Sequence, residues 1–153
     1  MGLAVGRTSL QANPSGLLTE LQKAHEDLLR AIEELAELTA GQAPPKGDLV
    51  NIRWKVSSAS LSRRLLWGRI LMSLSGRVDA AEQQKLRRLQ DADIALLRTS
   101  TKHVGAWTSE AILEDWRGYC QDSRDMRAKM IQAITLEREL LFPILHRVDP
   151  EVR

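Results

Sequence analysis

Four residues that could do chemistry lie at positions where the sequence otherwise places apolar side chains. They are His25, Arg63, Asp93 and Glu137, and each interrupts the apolar face of a different segment. Histidine and the carboxylates act as acid–base groups and metal ligands, whereas the fork of arginine N–H groups binds carboxylates. A charged side chain at such a position needs a partner, because an isolated buried charge is too costly. These four residues are therefore the candidate functional site.

Glu137 is the clearest of the four, because its neighbours one helical turn away are apolar. They are Ala133, Ile134, Leu140 and Leu141. Residues three and four apart share one face of a helix, so the carboxylate has to face whatever this segment packs on.

The rise along a helix allows the level of each polar residue to be estimated. A rise of about 1.5 Å per residue places His25 and Glu137 at nearly the same level, roughly 12–13 Å from one end of the predicted helices. The same estimate places Arg63 and Asp93 roughly 18–21 Å from that end, more than a turn away. We therefore expect His25 to be the nearest ionisable partner of Glu137, with Arg63 second if the helices slide by a turn. A buried structural pair is preferred over a metal site, because two ligands rarely hold a metal in a protein core.

The elements that position these residues are predicted to be helices. Charged residues make up 27% of the chain and aromatic residues only 4%, and from 107 to 146 apolar or small residues recur every three or four positions. The predicted helices span about 17–40, 48–75, 79–103 and 108–146, and the third begins with a capping box formed by Asp79 and Glu82. Short connections between four helices predict an all-α, up-down-up-down antiparallel bundle over 17–147. Residues 1–16 are predicted to be a flexible N-terminal tail, and 148–153 a C-terminal tail.

The second predicted helix has an unusual apolar pattern. One row of apolar residues contains Leu49, Ile52, Val56, Ala59, Leu66 and Ile70. A second row, which we expect to lie beside the first and widen the core face, contains Trp54, Leu61, Leu65 and Met72. Small residues at 57–62 would let a neighbouring helix come close, or leave a void beside it.

Several function classes lack their sequence signatures. The glycine-rich phosphate loop, the nucleophile elbow and paired zinc-ligand spacings are all missing, so an enzyme is not expected. No apolar run is long enough for a membrane span and no signal peptide is recognisable. Cys120 is the single cysteine, which excludes an internal disulfide and favours the cytoplasm, and we expect an inert, buried thiol.

The net charge of +2 conceals an uneven distribution. Residues 17–40 carry two basic and six acidic side chains, whereas 53–102 carry eleven basic and four acidic ones. A basic region could meet nucleic acid. The preferred interpretation is that it complements the acidic first helix, so nucleic-acid binding is not expected.

Two segments resemble the hemerythrin-like, or HHE cation-binding, family of four-helix bundles. The sequence A-H-E-D-L-L-R-A-I-E-E-L at 24–35 resembles the family's first helix, and A-I-T-L-E-R-E-L-L-F-P-I-L at 133–145 resembles its His-x-x-x-Glu helix, which ends in Leu-Phe-Pro. The resemblance implies that His25 is the first-helix metal ligand and Glu137 the metal-bridging carboxylate. Ala133 stands where the family has a histidine. The family's di-iron centre uses five histidines and two carboxylates, and this chain has three histidines, of which His103 and His146 are not placed as ligands.

The resemblance and the missing ligands together indicate a non-enzymatic bundle that has lost most of its di-iron ligands. We expect a regulatory or protein-interaction module that binds an unidentified protein or a second copy of itself, with no cofactor and no membrane association. The alternative is a cation-binding protein that holds iron or manganese for oxygen, redox or metal sensing. Its ligands would be His25 and Glu137, joined by Asp93.

Overall fold

The computed structural model describes residues 16–149, and all the regular elements in this range are helices. Most of the two predicted tails, 1–15 and 150–153, lies outside the described residues. The helices are α1 (Leu17–Leu38), α2 (Leu49–Leu74), α3 (Ala80–Ala106), α4 (Ser109–Glu114), α5 (Trp116–Leu140) and α6 (Phe142–Val148). The all-α prediction is confirmed for this part of the chain. The four long helices are compatible with the predicted four-helix bundle.

The prediction of a single helix over 108–146 is wrong, because the chain leaves helical geometry at Asp115 and the helix is interrupted again at Leu141, which itself keeps helical angles (φ −93°, ψ −38°). Asp115 has φ −141° and ψ 73°, and its side chain accepts a hydrogen bond of 2.9 Å from the Gly118 N–H, which caps the start of α5. Pro143 accounts for the second break, since it lacks the N–H that would continue the helix and its ring collides with the preceding turn. The capping box predicted for α3 is confirmed by hydrogen bonds of 2.8 and 3.1 Å between Asp79 and Glu82.

The long helices pack in two close pairs, α1 with α2 and α3 with α5, while α6 packs on α1 and α5. Two apolar clusters fill the interior. One contains Leu28 and Leu35 of α1, Ile52 of α2 and Met130 of α5. The other lies nearer the start of α1 and includes Leu21. Every long helix contributes to both clusters, so the bundle has two apolar layers. The lower layer is the cluster nearer the start of α1, and the upper layer is the cluster nearer its end.

The second apolar row predicted for α2 does not widen the core. Its side chains, together with that of Val50, are between 52% and 70% exposed. Successive residues are about 100° apart around a helix axis, so this row lies roughly opposite the buried row rather than beside it. We call it the α2 stripe; it consists of Val50, Trp54, Leu61, Leu65 and Met72.

The small residues of α2 border open space on two sides of the helix. Ala59 and Ser58 line a groove on the side where α2 packs against α1, whereas Ser57 and Ser60 line a cavity that α3 and α5 complete. The void, one of the two alternatives that the sequence left open, is therefore found beside these small residues.

Candidate functional site

The four polar residues lie between the two apolar layers. On α1, His25 separates Leu21 of one cluster from Leu28 of the other. The same holds on the other long helices, where Arg63, Asp93 and Glu137 each fall between a residue of one cluster and a residue of the other. The sequence pattern thus builds one polar layer across the bundle, with one side chain from each long helix.

Glu137 is the acceptor at the centre of this layer, and its side chain is 3% exposed. Its Oε1 accepts hydrogen bonds from Arg63 Nη1 and from Trp67 Nε1, the latter at 2.6 Å. Its Oε2 accepts a hydrogen bond from His25 Nε2. Three donors from two helices therefore hold both oxygens of one buried carboxylate.

Arg63 connects Glu137 to α3. Its guanidinium donates through Nη1 to Glu137 and through Nη2 to Asp93 Oδ1, at 2.9 Å, while its side chain is 1% exposed. The second oxygen of Asp93 lies 3.5 Å from Arg64 Nε on the more open side of the layer. Two carboxylates thus face two guanidinium groups, and their formal charges cancel.

His25 lies beside this balanced set of charges and contacts Glu137. Its ring is fully buried and stacks on Phe142, with the ring centroids 5.4 Å apart. Nε2 carries the proton that is donated to Glu137, and Nδ1 has no partner among the described residues. Burying Nδ1 without a proton and without a partner destabilises the fold less than burying an unpaired N–H at the same place.

The structure corrects the predicted levels of Arg63 and Asp93. Both were expected more than a turn away from Glu137, yet Arg63 contacts Glu137 and Asp93 directly. The level estimate treated 108–146 as one continuous helix, and it ignored the length of an arginine side chain, which can span a turn. The contact between His25 and Glu137 agrees with the estimate.

Trp67 belongs to the layer although sequence reasoning did not select it. Its indole N–H donates to Glu137, and its ring is buried in the lower apolar cluster. Trp67 follows Arg63 by four residues and so shares its face of α2. A search for donors one turn from Arg63 would have found it.

The residues of this layer do not fit a metal centre. Both oxygens of Glu137 already accept hydrogen bonds, and a guanidinium lies between the two carboxylates, where a metal cation would have to lie. Its positive charge would repel that cation. Among residues 16–149 no group of three or more His, Cys, Asp or Glu side chains is placed to hold a metal ion.

The remaining histidines and the cysteine lie elsewhere. His103 Nδ1 and Trp107 Nε1 both donate to Asp122 Oδ2, at 2.8 and 2.6 Å, and these two hydrogen bonds, that of His103 first, lower the pKa of Asp122. His146 is exposed on α6. Cys120 is partly buried, and this burial raises the pKa of its thiol, which disfavours the reactive thiolate.

Comparisons of the chain with family models, with curated proteins and with solved structures found no match. None of the helices in the described range combines the length and the apolar character needed to cross a membrane.

Proposed function

We propose that this protein is a non-enzymatic helical bundle of hemerythrin-like type, in which an arginine has replaced the metal, and that it acts as a protein-interaction module. The observation that carries the proposal is the position of the Arg63 guanidinium between Glu137 and Asp93. A cation supplied by the chain itself satisfies the carboxylate that the resemblance assigns to a metal.

The saturation of the polar layer argues for a structural role. An acid–base catalyst has to come within hydrogen-bond reach of its substrate. Glu137 and His25 are almost fully buried and direct their hydrogen bonds to each other and to α2. The layer therefore serves to fix the register of four helices rather than to act on a ligand.

The α2 stripe supports the interaction role. Large exposed apolar side chains aligned on one face of a helix are typical of protein–protein contact sites. The stripe runs from Val50 to Met72, about 33 Å along the helix axis, so its natural complement is another apolar helix of similar length. The α2 helix of a second copy meets this requirement.

The charged side chains on the α1 side of the stripe also suit a second copy. Lys55 lies 3.6 Å from Glu34, and Arg69 lies 3.2 Å from Glu20, so charges of both signs occur along the same edge. In a two-fold dimer the same surface of each copy faces the other. Edge charges of both signs can then pair across the contact, whereas charges of one sign would repel each other. We therefore propose an antiparallel α2–α2 contact as the first interaction of the module.

Two measurements test the proposal. Metal analysis of the purified protein, together with its absorption spectrum, should show no stoichiometric iron or manganese. Near-stoichiometric metal that His25→Ala or Glu137→Ala removes would overturn the metal-free proposal in favour of the cation-binding alternative.

Light scattering coupled to gel filtration tests the interaction surface. Leu65→Glu in the stripe should convert a dimer to a monomer, because it buries a charge in an apolar contact. Leu113→Glu is the matched control, since Leu113 is similarly exposed but lies on α4. A monomeric wild-type protein, or equal effects of the two variants, would exclude the stripe as a dimer contact.

A further inference from the structure

We propose that the cavity between α2, α3 and α5 binds a small organic anion with an apolar body and one carboxylate head. We call it the Tyr119 cavity. This proposal does not rest on the metal-free polar layer or on a dimer contact, although Trp54 belongs both to the α2 stripe and to the rim of this cavity.

The Tyr119 cavity has the size and position of a small-molecule site. Its volume is about 610 Å³, within the range usual for ligand pockets. It lies between the two close helix pairs, where Ser57 and Ser60 of α2 leave room that larger side chains would fill. Exposed side chains along its rim, among them Trp54 and Val104, leave it open to solvent.

Two hydroxyl groups in the cavity wall have no hydrogen-bond partner other than each other. Tyr119 is 0% exposed and Ser123 is 1% exposed, and within residues 16–149 no third group accepts a hydrogen bond from either hydroxyl. The two residues lie one turn apart on α5 and both line the cavity. Leaving a buried hydroxyl unpaired is costly, so the pair calls for an acceptor that the chain itself does not supply.

The charges around the cavity define the acceptor. No Asp or Glu of the described residues lines it, whereas Arg53 and Arg127 do, and neither guanidinium has a carboxylate partner within 4.0 Å in that range. Arg53 lies over the Tyr119 ring, 5.5 Å from its centroid, and donates to the Trp107 carbonyl at 2.7 Å. Two partly buried cations without a counter-ion favour an anionic group at this place.

The protonation equilibria of the wall agree with this assignment. Burial raises the pKa of Tyr119, while the charge of Arg53 and the hydrogen bond with Ser123 oppose the rise, so the Tyr119 hydroxyl keeps the proton that it would donate to a carboxylate. Burial, followed by the nearby charge of Arg124, lowers the pKa of Arg127. An anion bound beside Arg127 would favour its charged form and so oppose this lowering of its pKa.

The rest of the wall is apolar and adaptable. Met126, Met130, Val56 and Leu35 lie among the lining residues, and the flexible thioethers of the methionines adjust to different shapes. Polar groups for one anionic head, combined with these apolar walls, select aromatic or short aliphatic carboxylates over sugars, nucleotides or metal ions.

Titration calorimetry with benzoate and octanoate tests the proposal, with benzamide and octanamide as uncharged probes of the same shape. At least one carboxylate should bind with an affinity roughly tenfold or more above that of its amide. Arg53→Met should reduce that affinity at least tenfold. Arg87→Met, an exposed position on α3, makes the same change in net charge and should have no effect.

Tyr119→Phe separates a binding role from a structural one. Removing a buried hydroxyl whose one neighbour is the Ser123 hydroxyl should change the melting temperature of the free protein little, while carboxylate binding weakens about tenfold. Lack of binding by both carboxylates at millimolar concentration would show that the cavity holds only water. Equal binding of carboxylate and amide, or binding that Arg53→Met and Tyr119→Phe leave unchanged, would equally overturn the proposal.

Discussion

Arg63 donates a hydrogen bond to Glu137 across the interior, from the middle of α2 to the last turn of α5. Both side chains are almost fully buried, so neither charge can be stabilised by water when the other is removed. The same guanidinium reaches Asp93 on α3, and His25 of α1 reaches the other Glu137 oxygen. These three contacts together link all four long helices at a single level.

Truncation of Glu137 should be among the most destabilising single changes in the protein. Glu137→Ala leaves the N–H groups of Arg63, His25 and Trp67 without their acceptor, and breaking a buried pair in this way costs about 3–5 kcal/mol. Glu137→Gln keeps the shape and one acceptor oxygen, so it should cost less. Urea unfolding measures both, with the exposed Glu139→Ala expected to change the free energy of unfolding by at most about 0.5 kcal/mol. A Glu137→Ala effect as small as that of Glu139→Ala would contradict the proposed role of the carboxylate.

A double substitution should recover much of this loss. Arg63→Met alone leaves the Glu137 carboxylate buried with only its two other donors, His25 and Trp67, and should cost about 3–5 kcal/mol. Arg63→Met combined with Glu137→Met removes both charges and fills their space with apolar side chains, which is often nearly neutral. The double variant should therefore be more stable than the sum of the two single changes predicts. Additive effects in a double-mutant cycle would show that the two residues do not act as a pair.

Two glycine-to-alanine changes should have opposite signs. A Cβ at Gly118 would lie 2.1 Å from Asp115 Oδ2, so Gly118→Ala has to displace the side chain that caps α5, at a cost of about 1 kcal/mol. Gly68 lies inside α2, and a Cβ added there would meet no neighbouring side chain within 4 Å, so Gly68→Ala should stabilise the protein by about 0.5–1 kcal/mol. Thermal unfolding of the two variants beside the wild type decides both signs. A stabilising Gly118→Ala would mean that the Asp115 cap contributes nothing.

The sequence predicted the helices and the interior position of the four polar residues because both depend on local spacing. Apolar residues recur every three or four positions, and a polar residue that interrupts such a row has to lie on the buried face. The contact of Arg63 with Glu137 could not be predicted in the same way, since it depends on where α5 begins and on the reach of one long side chain. The exposure of the α2 stripe was predictable in principle, because a count of 100° per residue places Leu65 opposite Ile52. The Tyr119 cavity was not, since a run of small residues is compatible with close packing as well as with a void.

The pH dependence of stability should reveal the hydrogen bonds of Asp122. A carboxyl group whose pKa is lowered in the folded state, here by His103 first and then by Trp107, stabilises the fold while it is ionised in both the folded and the unfolded state. That contribution is complete above the ordinary aspartate pKa and is lost as the pH falls through the lower, folded value. Wild type should therefore be more stable than Asp122→Asn near pH 5.5, and the difference should shrink progressively below about pH 4.

Urea midpoints at pH 5.5 and pH 2.5 measure this difference. Trp107→Phe removes one of the two donors to Asp122, so the pKa of the carboxyl should move back toward its ordinary value. The pH-dependent part of the stability should then shrink in this variant without disappearing, because the His103 hydrogen bond remains. If the gap between wild type and Asp122→Asn were the same at both pH values, these hydrogen bonds would not favour the ionised carboxylate in solution. A gap that widened toward acid would reverse the sign of the linkage and exclude a lowered pKa altogether.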